Sequence, residues 1–520
     1  MINYLYNFII KSILFNFYYF YHKKKFVFSS SHYNFEKISF ENKKKNKKIF
    51  FSSPDEILDN SVKNDYYTFC FLKTGLKLGG ENNIKIIKQH LISWNNLKIS
   101  YLSIYWNVEY ACERLINLMY VFEFISNSLN TNELNLINKI VIKHVLFIKF
   151  VYFKLNKNNL NIFNYKVLLL ASFSNYFDFK NKLVLLKNIL SKEIDLNGFH
   201  KSYNPLKQAI IINYILEIKD MLLAQNIEIP DEIEITLIKM QSILKSLIHI
   251  DGSLALYNGS NNFFNLEISK LLKSSKDIKA KTFLNQNYGI GFYNDNKKKF
   301  FIDLVHPQKS QTQKNLHAST LAIEFSYDKE KIITNCGSAD VFNENKKFLR
   351  YSAAHSTIIL QNTNISEISE NKYHKRFPKN IIYDHQNKKN EIIIQGSHDG
   401  YKNNFHKIIK RKVIIKKNEP LILGEDSIIP TKFLRKNIVF QIRFHLMPNL
   451  LSTLTNDMKK VIIRTQNNQK WIFESISQLS IEDSIYVDLQ SSIIQNKQIV
   501  ISGLINDKKI VQKWSLKKYE

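Results

Sequence analysis

The spacing of apolar residues changes once along this chain, near Asp251-Gly252, and that change limits the folds available to it. From about residue 80 to 250, apolar residues recur at three- and four-residue spacing, which is typical of amphipathic helices. From about 285 to 520, short runs rich in Ile, Val, Phe and Tyr alternate with Asn, Asp, Gly or Lys turns, which is typical of strands. The sequence therefore predicts a helical region, then a β-region, with the boundary near 265–285.

Seven predicted helices follow one another with short polar breaks between them. One break is Pro230-Asp231, where Asp231 is a good N-cap. Consecutive helices with short connections pack as hairpins, which favours a bundle, a solenoid or a toroid. The predicted segments are 81–94, 108–125, 133–155, 164–177, 180–194, 204–222 and 231–250.

The second half contains ten or more short strands with no helix between them, which indicates an antiparallel β-sandwich. We find no Gly-rich phosphate loop and no nucleophile elbow in the sequence. The predicted strands include 288–294, 298–305, 391–397, 407–417, 438–446, 459–466, 484–490 and 498–505.

The chain has 520 residues, for which two domains are expected, and a formal net charge of +29 from 74 Lys+Arg and 45 Asp+Glu. A basic surface attracts polyanions, so nucleic acid, acidic polysaccharide and anionic membrane all remain open. No RNP, zinc-finger or helix-turn-helix signature favours nucleic acid. The three cysteines, without a CxxC, argue against a disulfide scaffold or a zinc–thiolate site.

The first 21 residues are rich in aromatics, but Asn3, Asn7, Lys11 and Asn16 interrupt them. Basic residues follow the apolar run, which is the wrong order for a signal peptide. The polar interruptions argue against a membrane-spanning helix, so an interfacial or core-packing helix fits better. The sequence leaves the compartment and the oligomeric state open.

Residues 315–360 contain two histidines, His317 and His355, each ahead of a β-like run. A Gly-containing turn at 335–338 lies between them. Histidines at strand ends converge on one point in many metal and acid–base sites. The alternative, which the residues alone favour, is a pair of surface or hydrogen-bonded structural histidines.

Several local motifs, in this order along the chain, resemble those of the heparinase II/III-like family of polysaccharide lyases. The resemblance covers about residues 80–450. The matching segments are 106–117 (WNVEYACERLIN), 197–205 (NGFHKSYNP), 250–259 (IDGSLALYNG), 317–325 (HASTLAIEF), 353–360 (AAHSTIIL), 397–401 (SHDGY) and 443–446 (RFHL).

The resemblance implies an N-terminal (α/α) toroid at 56–275 and a C-terminal antiparallel β-sandwich at 285–520, after an N-terminal apolar and basic segment at 1–55. It also implies a cleft for an acidic polysaccharide, β-elimination at a uronic acid, and a structural zinc bound by His and Asp. In that chemistry a base removes the C5 proton, an acid protonates the leaving oxygen, and a polar group neutralises the carboxylate. The family resemblance slightly favours the periplasm or cell envelope.

The chain departs from the family pattern in the helical region. The family's Asn-His pair falls at Asn164-Tyr165, so Tyr165 replaces the imidazole. The family's catalytic Tyr falls near Lys207, with Tyr203 four residues earlier.

The chain also departs from the pattern in the β-region. The family's HxHxD motif reads Asn315, His317 and Ser319, and the zinc Asp falls at Asn335. Of the metal set only His317 and His355 remain, and two histidines rarely hold zinc alone. We therefore predict no metal and no cofactor.

Each candidate residue has a functional and a structural interpretation. His200, Tyr203 and His355 are the acid–base candidates, with a capping or structural role as the alternative. Asn204 also fits an N-cap, which we favour. Arg114 either binds a substrate carboxylate or neutralises Glu109 and Glu113. The residues assigned to substrate binding are Arg114, Asn204, His317, His398, Arg443 and His445.

In the β-region the alternatives remain open as well. His398-Asp399 is either a supporting His–carboxylate pair or part of a β-turn. Arg411, Arg443, His406 and His445 fit anionic sugars, or else a solvated basic face.

The leading interpretation is a carbon–oxygen lyase, or a protein derived from one, acting on an anionic polysaccharide or oligosaccharide. Whether the chain is an enzyme stays open at this point. The alternative is a non-catalytic glycan-binding protein, and a weaker one is a nucleic-acid-binding protein; we do not expect nucleic acid as a partner.

Overall fold

The computed structural model describes most of the chain from residue 80 onward. The N-terminal segment 1–55, and with it the interfacial helix predicted there, lies outside the described residues. The described residues are 68–69, 72, 80–96, 106–155, 160–172, 182–262, 268, 271–272, 277–282, 289–310, 312–338, 344–369, 374–432, 437–489 and 492–519.

Contacts divide the chain into two compact units. Of the described residues, the first unit comprises those between 68 and 192 together with Asn213–Pro230. The second comprises Glu193–Ile212 and the described residues from Asp231 onward. The second unit thus includes residues from well before the predicted boundary near 265–285.

Helices occupy the described residues up to 246, as the apolar spacing predicted. Among these residues no helix is both long enough and apolar enough to cross a membrane. In chain order they are α1 (Glu81–Asn96), α2 (Val108–Ile125), α3 (Thr131–Lys149), which continues into a π-helical turn at Phe150–Leu155, α4 (Ile162–Ser172), α5 (Lys182–Glu193), α6 (Pro205–Ala224) and α7 (Asp231–Ser246).

The sequence explains where two of these helices begin. Asn107 accepts a hydrogen bond from the backbone N–H of Glu109 at the start of α2. Asn130 and Glu133 form a reciprocal capping box at the start of α3. Such caps satisfy N–H groups that lack a partner within the helix.

Strands occupy most of the described residues after 289. They are β1 (Ile290–Asn294), β2 (Lys298–Asp303), β3 (Ile323–Tyr327), β4 (Glu330–Thr334), β5 (Ile358–Leu360), β6 (Glu367–Ile368), β7 (His374–Arg376), β8 (Ile381–Asn387), β9 (Glu391–His398), β10 (Lys407–Lys416), β11 (Leu421–Pro430), β12 (Ile438–Leu446), β13 (Leu451–Leu454), β14 (Lys460–Arg464), β15 (Lys470–Ser475), β16 (Leu479–Val487), β17 (Ile493–Ile505) and β18 (Ile510–Tyr519). A four-residue helix, α8 (Lys402–Phe405), precedes β10.

Sixteen of these strands form two antiparallel eight-stranded sheets, and β6 and β7 pair in a separate two-stranded sheet. The first has the order β1-β2-β3-β4-β12-β17-β16, with β5 also paired to β12. The second has the order β13-β14-β15-β18-β11-β10-β9-β8. One apolar core contains buried side chains from both sheets, such as Phe444 of β12 and Trp514 of β18, whose rings pack edge to face. The predicted antiparallel β-sandwich is therefore confirmed.

A buried ion pair links the sandwich to the loop that carries His355. The guanidinium of Arg411 on β10 is bidentate with Asp426 on β11, and both side chains are fully buried. Arg411 also donates to the carbonyl oxygens of Leu321 and Ser356. Arg411 therefore has a structural role. It belongs neither to a solvated basic face nor to a sugar-binding surface.

A smaller core within the second unit joins its helical residues to the first sheet. It contains Phe199 from the loop before α6, Leu247 after α7, and Phe292 of β1. Tyr203 packs against this core. This packing brings the loop at 198–204 close to the first sheet.

Candidate functional site

The imidazoles of His317 and His355 contact each other. Nδ1 of His317 lies 3.1 Å from Nε2 of His355, and the ring centroids are 5.1 Å apart. His355 is fully buried, while His317 retains 6% of its surface. Of the two residues, His317 is thus the nearer to solvent.

Two loops hold the histidine pair, and they are hydrogen-bonded to each other. Ser352 Oγ donates to the carbonyl oxygen of Ala318 at 2.7 Å, and Thr357 Oγ1 donates to that of Thr320 at 2.8 Å. The backbone N–H of His355 donates to the carbonyl oxygen of Ser352. Because each loop fixes the other, the spacing of the two imidazoles is set by the backbone.

Three polar groups converge at Gly259. A Cβ atom placed on this glycine would lie 3.1 Å from Nδ2 of Asn204, 3.9 Å from Nε2 of His317 and 4.0 Å from Oγ of Ser338. Gly259 has a φ of +93°, a conformation that favours glycine. The space beside Gly259 is therefore open because glycine has no side chain. Three polar atoms surround that space: His317 Nε2, Asn204 Nδ2 and Ser338 Oγ.

Asn258 joins two of the loops that form this site. Its Nδ2 donates to the carbonyl oxygen of Tyr203, and its Oδ1 accepts from the backbone N–H of His317, both at 3.1 Å. The side chain is buried, with 2% exposed. Asn258 lies in the 250–259 motif, but its role was not predictable from the sequence, because only the fold brings Tyr203 and His317 within reach of one amide.

The buried carboxylate of Glu324 holds together the segments that form the site. Glu324 accepts from the backbone N–H of Leu256 and from both the backbone N–H and Nδ2 of Asn335. Oδ1 of Asn335 in turn accepts from the backbone N–H of Ser356, next to His355. Glu324 thus connects the 250–259 segment to the His355 loop.

A lysine and an imidazole contact the Glu324 carboxylate, and burial lowers the pKa of that imidazole, His249. Oε2 of Glu324 lies 2.9 Å from Nε2 of His249 and 3.2 Å from Nζ of Lys331. Burial alone would raise the pKa of Glu324, but Lys331 and His249 lower it to about 2. The carboxylate therefore stays ionised. Glu324 and His249 are residues that sequence reasoning missed, since nothing local marks them as partners.

Burial determines the protonation of the inner histidines. It lowers the pKa of His355 to about 3, with a small opposing effect of Glu324. It also lowers the pKa of His445 to about 3. Nδ1 of His445 lies 2.6 Å from Oγ of Ser484 and 3.6 Å from Sγ of Cys336. Both imidazoles are therefore neutral near pH 7.

The zinc site that the family resemblance implies does not fit these residues. The expected carboxylates are Ser319, whose Oγ donates to Asp303, and Asn335, which is bonded to Glu324 and Ser356. Within the described part of the chain, no group of three or more His, Cys, Asp or Glu is arranged to hold a metal. Two imidazoles without a carboxylate are a poor zinc site.

His200 lies in a structural position within the loop before α6. Its Nδ1 is 2.7 Å from Oγ of Ser202 and its Nε2 is 3.2 Å from Glu193. Its backbone N–H donates to Oε1 of Gln208. Burial lowers the pKa of His200, and only 3% of the residue is exposed. These contacts support the structural interpretation of His200.

Tyr203 contributes its backbone rather than its phenol to the site. Its carbonyl oxygen accepts from Asn258, whereas its hydroxyl donates to Oδ2 of Asp195 at 3.4 Å. Burial, together with Asp195, raises the pKa of Tyr203 above its usual value. The residue adopts a φ of +48°, so the loop geometry depends on it.

Asn204 has two roles. Its Oδ1 accepts from the backbone N–H of Lys207 at 3.0 Å, which makes it the N-cap of α6, as predicted. Its Nδ2 is the group that faces Gly259. The cap fixes the amide so that its nitrogen points toward His317.

His398 and Arg443 contact other groups than the three that surround Gly259. Nδ1 of His398 accepts from the backbone N–H of Gly400, and Asp399 accepts from the backbone N–H groups of Lys379 and Asn380. These contacts match the turn interpretation of His398-Asp399. Arg443 donates to Gln441 and lies 3.8 Å from Glu482.

Arg114 belongs to the first unit and is fully buried there. Its Nε donates to Nε2 of His144 at 2.9 Å. Its guanidinium lies 5.3–5.7 Å from the ring centroids of Phe69, Trp94 and Trp106. Burial lowers the pKa of Arg114 to about 9. An aromatic cage around a buried cation favours a structural role.

The β-region matches a known protein family. Residues 279–515 match the family model described as heparinase II/III-like, C-terminal. Among curated protein sequences, none is significantly similar to this chain.

Solved structures share the fold at low sequence identity. Heparan sulfate lyase HepC from Pedobacter heparinus is 14% identical, with a TM-score of 0.62 over 89% of this chain and 78% of that one. Heparinase III is 11% identical, with a TM-score of 0.68 over 88% and 76%. A Paenibacillus xanthan lyase is 8% identical, with a TM-score of 0.56 over 98% and 57%.

The fold is therefore the helical toroid and β-sandwich found in these polysaccharide lyases. Within that fold, residues 279–515 are the part that matches the heparinase II/III-like, C-terminal family model. The family resemblance predicted from the sequence motifs is confirmed.

Proposed function

We propose that this protein cleaves an acidic, uronate-containing polysaccharide by β-elimination, with His317 as the group that moves the proton. The observation that supports this proposal is the convergence of His317 Nε2, Asn204 Nδ2 and Ser338 Oγ on Gly259. An imidazole beside neutral hydrogen-bonding groups suits a reaction that removes a proton next to a carboxylate.

The proposed reaction balances with a single imidazole. His317 Nε2 takes the C5 proton of the uronate, and the electrons of that C–H bond form the C4–C5 double bond. The C4–O bond breaks, and the departing oxygen receives the proton from His317. No water is added to either product. The amide N–H of Asn204 donates to the uronate carboxylate, which stabilises the charge that develops beside C5.

His355 is a positioning residue in this proposal. Its pKa of about 3 keeps it neutral, so its Nε2 is able to accept from Nδ1–H of His317. We assign that tautomer because it places the lone pair of His317 on Nε2, the nitrogen nearest Gly259. The hydrogen bond also holds the ring in one orientation.

A second candidate function is glycan binding without cleavage, and one observation favours it. Tyr165, at the position of the family's catalytic His, is fully buried, and its hydroxyl donates to the carbonyl oxygen of Lys182. A buried phenol bonded to the backbone does not replace an imidazole. Under this candidate the site retains its fold and its affinity but lacks turnover.

One experiment separates the two candidates. The wild-type protein and a His317→Ala variant are incubated with polygalacturonate, alginate, heparan sulfate and hyaluronan, and the absorbance of unsaturated uronate is followed. We expect turnover with one of these polymers and its loss in His317→Ala, with binding retained. Binding of a polymer without turnover by the wild-type protein would favour the second candidate.

A further inference from the structure

The outer face of the second sheet has a groove of about 590 Å³, on the side opposite the apolar core. Alternation along each strand defines this face. On β10, Val413 and Ile415 are in the core, so Lys412 and Ile414 point outward. On β18, Trp514 is in the core and Lys513 points outward.

Cross-strand pairing shows how the groove is built. Lys412 pairs with Glu425, and Glu425 pairs with Lys513, so one carboxylate lies between two ammonium groups. The next row pairs Ile414 with Leu423, which supplies an apolar floor. The groove therefore has a basic edge and an aliphatic base.

A third lysine, Lys459, lines the groove from the turn before β14 and is exposed. The other acidic residue of the groove, Glu474, is paired with Lys460 at 3.4 Å. With that pair neutralised, three lysines face one glutamate. The local charge is thus positive, in a protein whose formal net charge is +29.

We propose that this groove is a second binding site for the anionic polysaccharide, separate from the site at Gly259. The class of ligand rests on the proposed function. Lysines on β10, on β18 and in the turn before β14 suit the repeated carboxylates of a uronate chain, and an aliphatic floor suits the apolar faces of sugar rings. Such a site holds a polymer on the protein between encounters with the first site and raises its effective concentration there.

The test uses full-length protein and fluorescently labelled polygalacturonate. The groove variant is Lys412→Gln/Lys459→Gln/Lys513→Gln. The control is Lys410→Gln/Lys470→Gln/Lys517→Gln, which removes the same charge from the outer face of the same sheet but outside the groove. Because three exposed charge contacts contribute together, we expect the dissociation constant to rise roughly tenfold in the groove variant and at most about twofold in the control.

A second readout locates the polymer directly. Lys412, Lys459 and Lys513 should be protected from acetylation when polygalacturonate is bound, whereas Lys410, Lys470 and Lys517 should not. Equal loss of affinity in both variants, or no loss in either, would overturn the proposal. Loss of binding to single-stranded DNA or phosphatidylserine vesicles, with glycan binding unchanged, would assign the groove to another polyanion and also overturn it.

Failure of this inference is distinguishable from failure of the proposed function. If His317→Ala abolishes turnover while the groove variant binds polymer normally, only the second site is wrong. If no uronate polymer is cleaved but binding depends on the three groove lysines, only the proposed β-elimination is wrong.

Discussion

Nδ1 of His317 and Nε2 of His355 are 3.1 Å apart, so the outer imidazole of the site is hydrogen-bonded to a fully buried neutral one. In the family pattern these two positions are metal ligands, but Ser319 and Asn335 stand where carboxylates are expected. In this protein the two imidazoles are therefore linked to each other by a hydrogen bond.

Replacing Gly259 by Ala should block the site. The added methyl would lie 3.1 Å from Asn204 Nδ2 and 3.9 Å from His317 Nε2, where the substrate carboxylate is expected. We predict that polymer affinity at this site falls at least about tenfold, since a filled subsite loses its contacts. Titration of a short oligogalacturonate, too short to need the groove, measures this change.

Gly252→Ala is the matched control for that experiment. Gly252 has a φ of +85°, close to that of Gly259, but a Cβ there meets nothing within 4 Å. Both variants should lose about 1 kcal/mol of stability from backbone strain, and only Gly259→Ala should lose affinity. Equal affinities in the two variants would show that Gly259 is not at the binding site.

Asn258→Asp should separate the loops that it joins. The isosteric carboxylate still accepts from the N–H of His317 but no longer donates to the carbonyl oxygen of Tyr203. Because a buried carbonyl then faces a carboxylate oxygen, we expect a loss of about 1–3 kcal/mol in the free energy of unfolding. Urea denaturation measures this loss; unchanged stability would contradict the role given to Asn258.

The stability of the protein should fall in acid in a way that depends on His355. Its folded-state pKa is about 3, below the usual value of 6.5, so the unfolded chain binds the proton first. Its contribution is fully present above pH 6.5 and is lost as the pH falls toward 3. Each such histidine increases the slope of stability against pH by at most about 1.4 kcal/mol per pH unit.

The slope is obtained by denaturant unfolding at several pH values between about 6 and 4. His355→Gln should reduce this slope by up to the equivalent of one proton. If the His355→Gln slope equals that of the wild-type protein, His355 is not neutral and buried in solution.

Glu324→Gln should destabilise the protein strongly, because it leaves Lys331 buried without its carboxylate. Removing one partner of a buried ion pair costs about 3–5 kcal/mol. The double variant Glu324→Gln/Lys331→Met removes both charges and should be more stable than the single variant. A double variant less stable than Glu324→Gln would contradict this explanation.

Local sequence patterns were sufficient for the fold and for one element of the site. The apolar spacing predicted α2 at Val108–Ile125 and β12 at Ile438–Leu446 with the observed bounds, because both have strong and regular periodicity. Asn204 was also predicted as an N-cap, since capping depends only on neighbouring residues.

The contacts that assemble the site could not be predicted in this way. Asn258 contacts residues 55 and 59 positions away, and Glu324 contacts His249 75 positions away. Arg114 was considered for a substrate carboxylate because it lies on an amphipathic helix, but its aromatic cage includes Phe69 and Trp94, which lie 45 and 20 positions away in the sequence. Burial of a charged side chain is a property of the fold and not of the local pattern.

The most direct test of the central claim is the mass of the product. Polymer that the wild-type protein degrades in ¹⁸O-labelled water is analysed by mass spectrometry. β-Elimination predicts fragments whose new non-reducing end carries an unsaturated uronate, with no ¹⁸O at that end and no such product from His317→Ala. Saturated fragments that contain ¹⁸O would show hydrolysis and would contradict the account.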